Sequence, residues 1–146
     1  MLRYIKTIKN SKLFKELVSS FSMGITITSK KEGSEPPDKE EKITLGATEE
    51  VFIDGKRFRA KVDTGADKSS IGKSLLKKLK FYEERGSIRV RSASGRSIRK
   101  KIKLRILIRG KKLVVYFSVA DRRKLKYDIL IGKNILKRGF IVDVTK

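Results

Sequence analysis

Apolar and polar positions divide the first part of the chain into two segments. Across residues 1–21, apolar side chains recur at helical spacing, at positions 2, 5, 8, 14, 17, 18 and 21, with lysines between them. This pattern predicts a basic amphipathic helical extension over residues 1–28, which binds a membrane surface or partner, packs on its own domain, or is a mobile tail. Its apolar side chains are too dispersed for a transmembrane segment or the core of a signal peptide. Residues 29–42 contain both prolines and almost nothing apolar, which predicts a polar linker.

From residue 43 onwards, apolar positions alternate with polar ones in short runs, a pattern typical of β-strands. The pairs Asp54-Gly55 and Arg109-Gly110 are turn signals between such runs, so each predicts a β-hairpin. A third hairpin is predicted around the flexible tip SASG, residues 92–95. The C-terminal run YDILIGKNILKRGFIVDV predicts a strand, a glycine turn, one or two helical turns and a last strand.

Only short helices are predicted in this part of the chain. SLLKKL, residues 74–79, places Leu75, Leu76 and Leu79 on one side and has serines upstream as a cap. The second helix is predicted at NILKRG. Each helix follows a hairpin and a loop, so the chain weakly repeats one hairpin–loop–helix order. We therefore predict that residues 43–146 form one all-β domain, mainly strands with one or two short helices.

Composition restricts the chemistry that the chain can perform. The 146 residues include no cysteine and no histidine. Disulfides, thiolate or imidazole metal ligands, and Ser-His or Cys-His catalytic pairs are therefore excluded. We predict no metal site and no cofactor, since a glycine-rich phosphate loop followed by Lys-Ser or Lys-Thr is also missing. Because nothing points to an oxidising compartment, we expect a cytoplasmic protein.

The charge is strongly positive and belongs mainly to the second part of the chain. Lysine and arginine number 38 against 16 acids, a net charge of +22. Residues 1–42 hold 9 bases and 6 acids, net +3, whereas residues 43–146 hold 29 and 10, net +19. Such a charge attracts nucleic acid, ribosomes, anionic lipid or acidic substrates, or reflects a salty or hot cytoplasm. No nucleic-acid-binding motif is recognisable, so charge alone suggests RNA or a ribosome as a partner.

The run KVDTGADKSS, residues 61–70, contains the strongest candidate for catalysis. Asp-Thr-Gly places a carboxylate after a predicted strand. In aspartic proteases two carboxylates about 3 Å apart share one proton, so that one activates a water and the other polarises the scissile carbonyl. Alone the tripeptide is a weak signal, because Asp and Gly favour turns. Its context strengthens it: a hairpin with a flexible tip follows, and then Ile-Leu-Ile-Gly near the C-terminus.

On these motifs, residues 43–146 resemble a retropepsin-type aspartic protease monomer, through VDTGAD (62–67) and ILIGKNIL (129–136). Residues 119–143 are particularly similar to cellular retropepsin-like proteins labelled ATP-dependent zinc proteases, which are associated with ligases that add glutamates to a ribosomal protein. The resemblance implies a closed β-barrel of the acid protease fold, with each chain forming half of a dimeric active site. The zinc and ATP of that label have no support in these residues.

The resemblance implies a role for each residue of the motif loop. Asp63 corresponds to the catalytic carboxylate, and Thr64 and Gly65 shape its loop. A threonine hydroxyl can brace the loop against its mate, and a glycine lets backbone amides approach the carboxylate. Ala66 and Asp67 correspond to positions that bind the main chain of the substrate.

The resemblance also assigns a flap and a supporting segment. The hairpin tip corresponds to the flap that covers substrate; the alternative is an ordinary exposed turn. Its residues are Ser92, Ala93, Ser94 and Gly95. The strand that supports the loop contributes Ile131, Gly132 and Lys133. Many retropepsins have an arginine that pairs with the acid at position 67 where this chain has Lys133, and lysine keeps that charge without bidentate geometry.

A single Asp-Thr-Gly leaves the source of the second carboxylate open. Asp67, Asp128 and Asp143 are candidates in the same chain, but Asp67 is too near in sequence and the other two lack a following Thr/Ser-Gly. A twofold homodimer satisfies the geometry without another residue. We therefore predict an aspartic endopeptidase acting on peptide or protein substrates, which the charge suggests are acidic, for example glutamate-rich. The alternative is a catalytically idle retropepsin-like module that binds RNA or ribosomes.

Overall fold

The computed structural model describes residues 40–146. The predicted extension over residues 1–28 and the predicted linker up to residue 39 lie outside the described residues. Strands and two four-residue helices follow one another in the order β1 (Ile43–Leu45), β2 (Thr48–Ile53), β3 (Lys56–Val62), β4 (Ser70–Gly72), α1 (Lys73–Leu76), β5 (Glu83–Ser92), β6 (Gly95–Ile108), β7 (Lys111–Ala120), β8 (Ile129–Ile131), α2 (Lys133–Leu136) and β9 (Phe140–Val142).

Six of the strands close into a barrel. Their order is β2-β3-β8-β4-β7-β6, and the barrel closes where β2 pairs with β6, Val51 opposite Ile108 and Phe52 opposite Leu107. Strand β5 lies outside the barrel and, within residues 40–146, pairs with β6 alone, whereas β1 and β9 form a separate parallel pair. The predicted all-β class with a closed barrel and two short helices is confirmed.

The side chains at every second position of the strands fill the interior of the barrel. On β6 the inward positions are less than 2 % exposed, and Lys103, Arg105 and Leu107 stand between them. Phe117 on β7 and Ile71 on β4 complete the core from the opposite strands. Burying each such side chain contributes about 1.5–3 kcal/mol, so the two-residue period alone specifies which face of β6 turns inward. The inward residues of β6 are Ile102, Leu104, Ile106 and Ile108.

Two hairpin turns use left-handed backbone, as their sequence predicts. Asp54 and Gly55 have φ of 53° and 72°, and Arg109 and Gly110 have φ of 48° and 76°. Positive φ at both central residues is the type I′ geometry, whose twist matches that of the flanking strands. The third predicted hairpin joins β5 to β6, and its turn is confined to residues 93–94.

The weak sequence repeat corresponds to a structural one. In each half a strand leads through a loop to a three-residue strand, a glycine and a one-turn helix: β3 to β4 and α1, then β7 to β8 and α2. The halves interlock, because β3 pairs in parallel with β8, β7 pairs in parallel with β4, and β4 and β8 pair antiparallel between them. This crossing brings the loop after β3 against the end of β8.

The predicted serine cap of the first helix is wrong. Gly72 occupies the N-cap position, and no side chain caps the helix. Ser70 lies in β4 instead, and both Ser69 and Ser70 are buried, with their hydroxyls bonded to residues that follow the neighbouring strands β8 and β7. The helix is also shorter than predicted and spans Lys73–Leu76 only, although Leu75, Leu76 and Leu79 are all buried as expected.

Candidate active site

Asp63 stands directly after β3, at the point where the two halves cross. Its backbone N–H donates to the carbonyl of Ile131 at 2.9 Å. The Gly65 N–H donates to its Oδ1 at 2.9 Å, and the Ala66 N–H donates to its carbonyl at 3.3 Å. A Cβ on Gly65 would lie 3.2 Å from the same Oδ1, so glycine permits this close approach. The loop therefore wraps around a half-buried carboxylate, while Thr64 and Gly65 remain exposed.

The end of β8 locks this loop from the other side. The Lys133 N–H donates to the carbonyl of Ala66 at 2.8 Å. Any side chain at Gly132 would collide with backbone, because its Cβ would lie 2.7 Å from the Ala66 oxygen and 2.8 Å from the Lys68 oxygen. The structure thus brings the predicted supporting residues Ile131, Gly132 and Lys133 together with the predicted catalytic loop.

A buried hydroxyl and an amide side chain tie the two segments together. Ser69 is fully buried; its Oγ accepts the Gly132 N–H at 2.9 Å and donates to Asn134 Oδ1 at 2.7 Å. The Ser69 N–H donates to the same oxygen at 2.8 Å, and Asn134 Nδ2 donates to the Tyr116 carbonyl at 2.9 Å. Sequence reasoning missed both residues. The only available signal was the position of Asn134 directly after the supporting segment.

The expected acid–base contact is present in an exposed form. Lys133 Nζ lies 3.1 Å from Asp67 Oδ1, with side chains that are 44 % and 81 % exposed. A single ammonium contact at this exposure contributes at most about 1 kcal/mol to the stability of the fold. The pair therefore orients the loop weakly, unlike the buried Ser69–Asn134 contact.

A cleft of about 680 Å³ extends from Asp63 to the tip of the β5–β6 hairpin. Of the residues predicted to bind substrate, Ala66, Asp67, Ser92, Ala93 and Ser94 line it. Gly95 does not line the cleft; it begins β6 with φ of 113°, a backbone conformation that favours glycine. The predicted flap and the predicted catalytic loop thus face one another across the same space.

Cations outnumber acids along this cleft. Among the described residues that line it, the one acid besides Asp63 and Asp67 is Asp121, whose pKa is lowered to about 2 because Arg123 donates hydrogen bonds to it. Sequence reasoning did not single out the cations, although the alternating arginines of IRVRS placed two of them on one face of β5. The basic residues that line the cleft are Lys68, Arg89, Arg91, Arg99 and Arg122.

Within residues 40–146, no group of three or more acidic, histidine or cysteine side chains is arranged to hold a metal ion. No helix within the same residues is long and apolar enough to cross a membrane.

Comparisons with known proteins agree with this geometry. Residues 50–138 match a family model described as "gag-polyprotein putative aspartyl protease". Among solved structures, a protein with unknown function (DUF785) from Legionella pneumophila is similar over 71 % of this chain and 94 % of its own, with a TM-score of 0.52 and 18 % identity. At that identity the likeness concerns the fold alone. No curated protein matches the sequence.

Proposed function

Because this chain belongs to the gag-polyprotein aspartyl protease family, we propose that it is an aspartic endopeptidase whose catalytic carboxylate is Asp63. One observation carries the proposal most directly. Asp63 is held by the Gly65 N–H at the wall of a cleft whose other wall is a hairpin tip. A peptide in that cleft would have its main chain beside the carboxylate and under the tip.

The second carboxylate, in this proposal, is Asp63 of a second copy. Among the described residues, the other acids of the cleft are engaged: Asp67 with Lys133, and Asp121 with Arg123. Asp128 and Asp143, the remaining candidates in the same chain, do not line the cleft. An obligate homodimer would place the two loops face to face across a twofold axis.

The exposure of the loop supports this arrangement. Thr64 and Gly65 are exposed beside Asp63, and within residues 40–146 the Thr64 hydroxyl has no hydrogen-bond partner. It is therefore available to brace the corresponding loop of a second copy.

The reaction follows from two carboxyl groups that share one proton. The ionised Asp63 takes a proton from a water molecule, whose oxygen attacks the carbonyl carbon of the scissile bond. The protonated Asp63 of the other copy donates a hydrogen bond to the carbonyl oxygen, which carries the developing negative charge. The tetrahedral intermediate then collapses, the C–N bond breaks, and the leaving nitrogen takes up the proton that the first Asp63 removed from the water. The hairpin tip, Ser92 to Gly95, would close over the peptide and exclude water.

Acidic, glutamate-rich peptides are the substrate class that the charge favours. Residues 43–146 carry a net charge of +19, and basic side chains line the cleft itself. A field of this sign raises the local concentration of acidic peptides and accelerates their encounter with the site. Cleavage of acidic peptides should therefore slow as ionic strength rises, whereas cleavage of neutral ones should change little.

The Asp63→Asn variant tests the proposal. Wild-type protein and variant would be incubated with a proteome-derived peptide library, and new termini counted by mass spectrometry. We expect cleavage by the wild type and a loss of at least about a thousandfold in the variant, because the proton-sharing pair is destroyed. Analytical ultracentrifugation at assay concentration gives the oligomeric state. A fully active monomer would contradict the shared site, and equal products from both proteins would contradict the role of Asp63.

A second candidate function is a catalytically idle module that binds a polyanion such as RNA or a ribosome. The observation in its favour is the cationic surface of the β5–β6 hairpin, where Arg85, Arg89, Arg91, Arg96 and Lys100 are all exposed. Such binding would be driven by phosphate contacts and would weaken steeply with salt. The Asp63→Asn variant separates the two functions, since it should abolish proteolysis and leave RNA affinity nearly unchanged.

The finer placement of the chain also belongs to this proposal. We propose that residues 119–143 relate it to the cellular group labelled ATP-dependent zinc proteases, without zinc chemistry, since histidine and cysteine are lacking. The division into an extension over residues 1–28, a linker over 29–42 and a protease domain over 43–146 is likewise proposed, as is a cytoplasmic location.

A further inference from the structure

Arg122 is the one buried cation in the part of the chain that the structure describes. It follows β7 at the start of the loop to β8, and only 8 % of it is exposed. Its Nε donates to the Tyr127 carbonyl at 2.8 Å, and its Nη1 donates to Ser70 Oγ at 3.1 Å. These two bonds join the loop to β4 and fix the direction of the guanidinium.

The charge of Arg122 is not neutralised by a close partner. Within residues 40–146, no carboxylate lies within ion-pair distance of it, and its Nη2 has no acceptor. Burial accordingly lowers its pKa, and the more distant charges of Asp128 and Asp63 oppose this effect. Buried cations in proteins are almost always paired, because desolvation of an unpaired charge is costly.

The same fold contains a satisfied arginine for comparison. Arg109 donates two hydrogen bonds to the buried Glu49, from Nε to Oε2 at 3.0 Å and from Nη2 to Oε1 at 3.1 Å. In Arg122 the Nε already donates to Tyr127, so the donors left for an anion are the remaining N–H groups of Nη1 and Nη2. A planar anion with two oxygens can accept hydrogen bonds from both of these nitrogens.

Arg122 also lines the cleft that contains Asp63, and the charges of the two side chains interact. Arg99 on β6 lines the same cleft, and its positive charge acts against that of Arg122. A carboxylate bound in this cleft would offset the repulsion between the two arginines.

We infer that Arg122, with Arg99, binds the carboxylate of a glutamate or aspartate side chain adjacent to the bond held over Asp63, and so determines the specificity of the cleft. This inference rests on the proposed peptidase function. It goes beyond electrostatic steering, because a steering field acts on the total charge of the peptide, whereas this site binds one side chain at one position of the peptide. Any exposed lysine contributes to the first effect, and only these arginines to the second.

Binding to the full-length Asp63→Asn protein tests the inference independently of hydrolysis. The probes are N-acetylated, C-terminally amidated peptides that differ only in a central Glu or Gln, with affinity measured by fluorescence anisotropy at fixed ionic strength. We expect the Glu peptide to bind about 10- to 100-fold more tightly, the range of a charge-assisted hydrogen-bonded pair. Adding Arg122→Gln should bring the Glu/Gln ratio close to one, and Arg122→Lys should leave it intermediate, because lysine keeps charge but loses the fork.

The matched control is Lys124→Gln, which removes one positive charge from an exposed position of the same loop that does not line the cleft. Because this charge is exposed and screened, the substitution should change both affinities little and leave the Glu/Gln ratio nearly unchanged. Should Arg122→Gln fail to fold, Arg99→Gln provides the test, since Arg99 takes no part in the bonds to Ser70 and Tyr127. A purely structural Arg122 would lower the melting temperature of its variants and leave the ratio unchanged.

The outcomes separate the two proposals. An unchanged Glu/Gln ratio in folded Arg122 and Arg99 variants overturns the carboxylate site, whether or not the wild type cleaves peptides. A further probe is the Gln peptide with a free C-terminus. If this peptide binds tightly and the amidated Glu peptide does not, the inference is also overturned, since the bound anion would then be the C-terminal carboxylate of a chain. Absence of hydrolysis by the wild type contradicts the peptidase function alone.

Discussion

Replacing Ser69 by alanine should weaken the joint that holds the Asp63 loop against β8. The hydroxyl accepts the Gly132 N–H at 2.9 Å and donates to Asn134 Oδ1 at 2.7 Å, and Ser69 is fully buried. Alanine leaves the Gly132 N–H without an acceptor in a site that water does not reach. That orphaned donor costs about 1–3 kcal/mol, and the lost donation to Asn134 costs about 0.5–1.5 kcal/mol. We therefore expect the free energy of unfolding to fall by about 2–4 kcal/mol.

Urea unfolding followed by far-UV circular dichroism measures this loss, since the chain contains no tryptophan. With a slope of about 1–3 kcal/mol per molar urea, the midpoint should fall by about 1–3 M while the slope stays constant. All proteins would be compared at one concentration, because a dimer's stability depends on it. Ser94→Ala is the matched control: its hydroxyl is exposed at the hairpin tip, so the change should stay within about 0.5 kcal/mol.

A double-mutant cycle with Asn134→Ala identifies the contact responsible. Because Ser69 and Asn134 share two hydrogen bonds, the double variant should lose clearly less stability than the sum of the single variants. The reasoning would be refuted if Ser69→Ala lost less than about 1 kcal/mol with an unchanged slope, or if the two substitutions were additive.

Two further predictions concern a glycine of the loop and an acid of the cleft. Gly132→Ala should abolish folding or cost more than about 3 kcal/mol of stability, because the added Cβ would lie 2.7 Å from backbone. Gly65→Ala is the control and should cost much less, since its added Cβ meets only Asp63 Oδ1, at 3.2 Å. Equal melting temperatures of the two variants would contradict this. Asp121 should titrate at about 2 by carbon-detected NMR and return towards 3.8 in Arg123→Gln, with Asp143 as an unaffected control. Because the folded pKa lies below the unfolded one, the pair's contribution is complete above the unfolded pKa and is lost as pH falls through the folded one; an unchanged midpoint in Arg123→Gln would show that Arg123 is not the cause.

Sequence reasoning succeeded where structure depends on near neighbours in the chain. The hairpins at Asp54-Gly55 and Arg109-Gly110 follow from turn residues that tolerate positive φ, and the two-residue alternation of β6 predicts its inward face. The Asp-Thr-Gly tripeptide was a weak signal by itself, and its interpretation as a catalytic loop rests on the wider context and the family resemblance. The serine cap failed because two hydroxyls beside a helix have several partners, and their contacts with Gly132 and Arg122 prevail over the local one.

The groups that support the site could not be predicted from near neighbours in the chain. Ser69 and Asn134 are 65 residues apart, and nothing near either residue indicates the other. Arg122 is one of 38 basic residues, and its sequence neighbours Asp121 and Arg123 pair with each other on the surface. Its burial depends on β4 and Tyr127, so a charged residue that sequence patterns assign to solvent becomes part of the cleft wall.

The sequence by itself determined the strands, the turns, the position of the carboxylate and the sign of the charge, because each depends on residue types and spacing within a few positions. Only the tertiary structure decided how β2 meets β6 to close the barrel, which buried hydroxyl holds the Asp63 loop, and which of many arginines is buried beside the cleft. Those features arise from contacts between segments far apart in the chain, and their energies depend on burial, which no local pattern specifies.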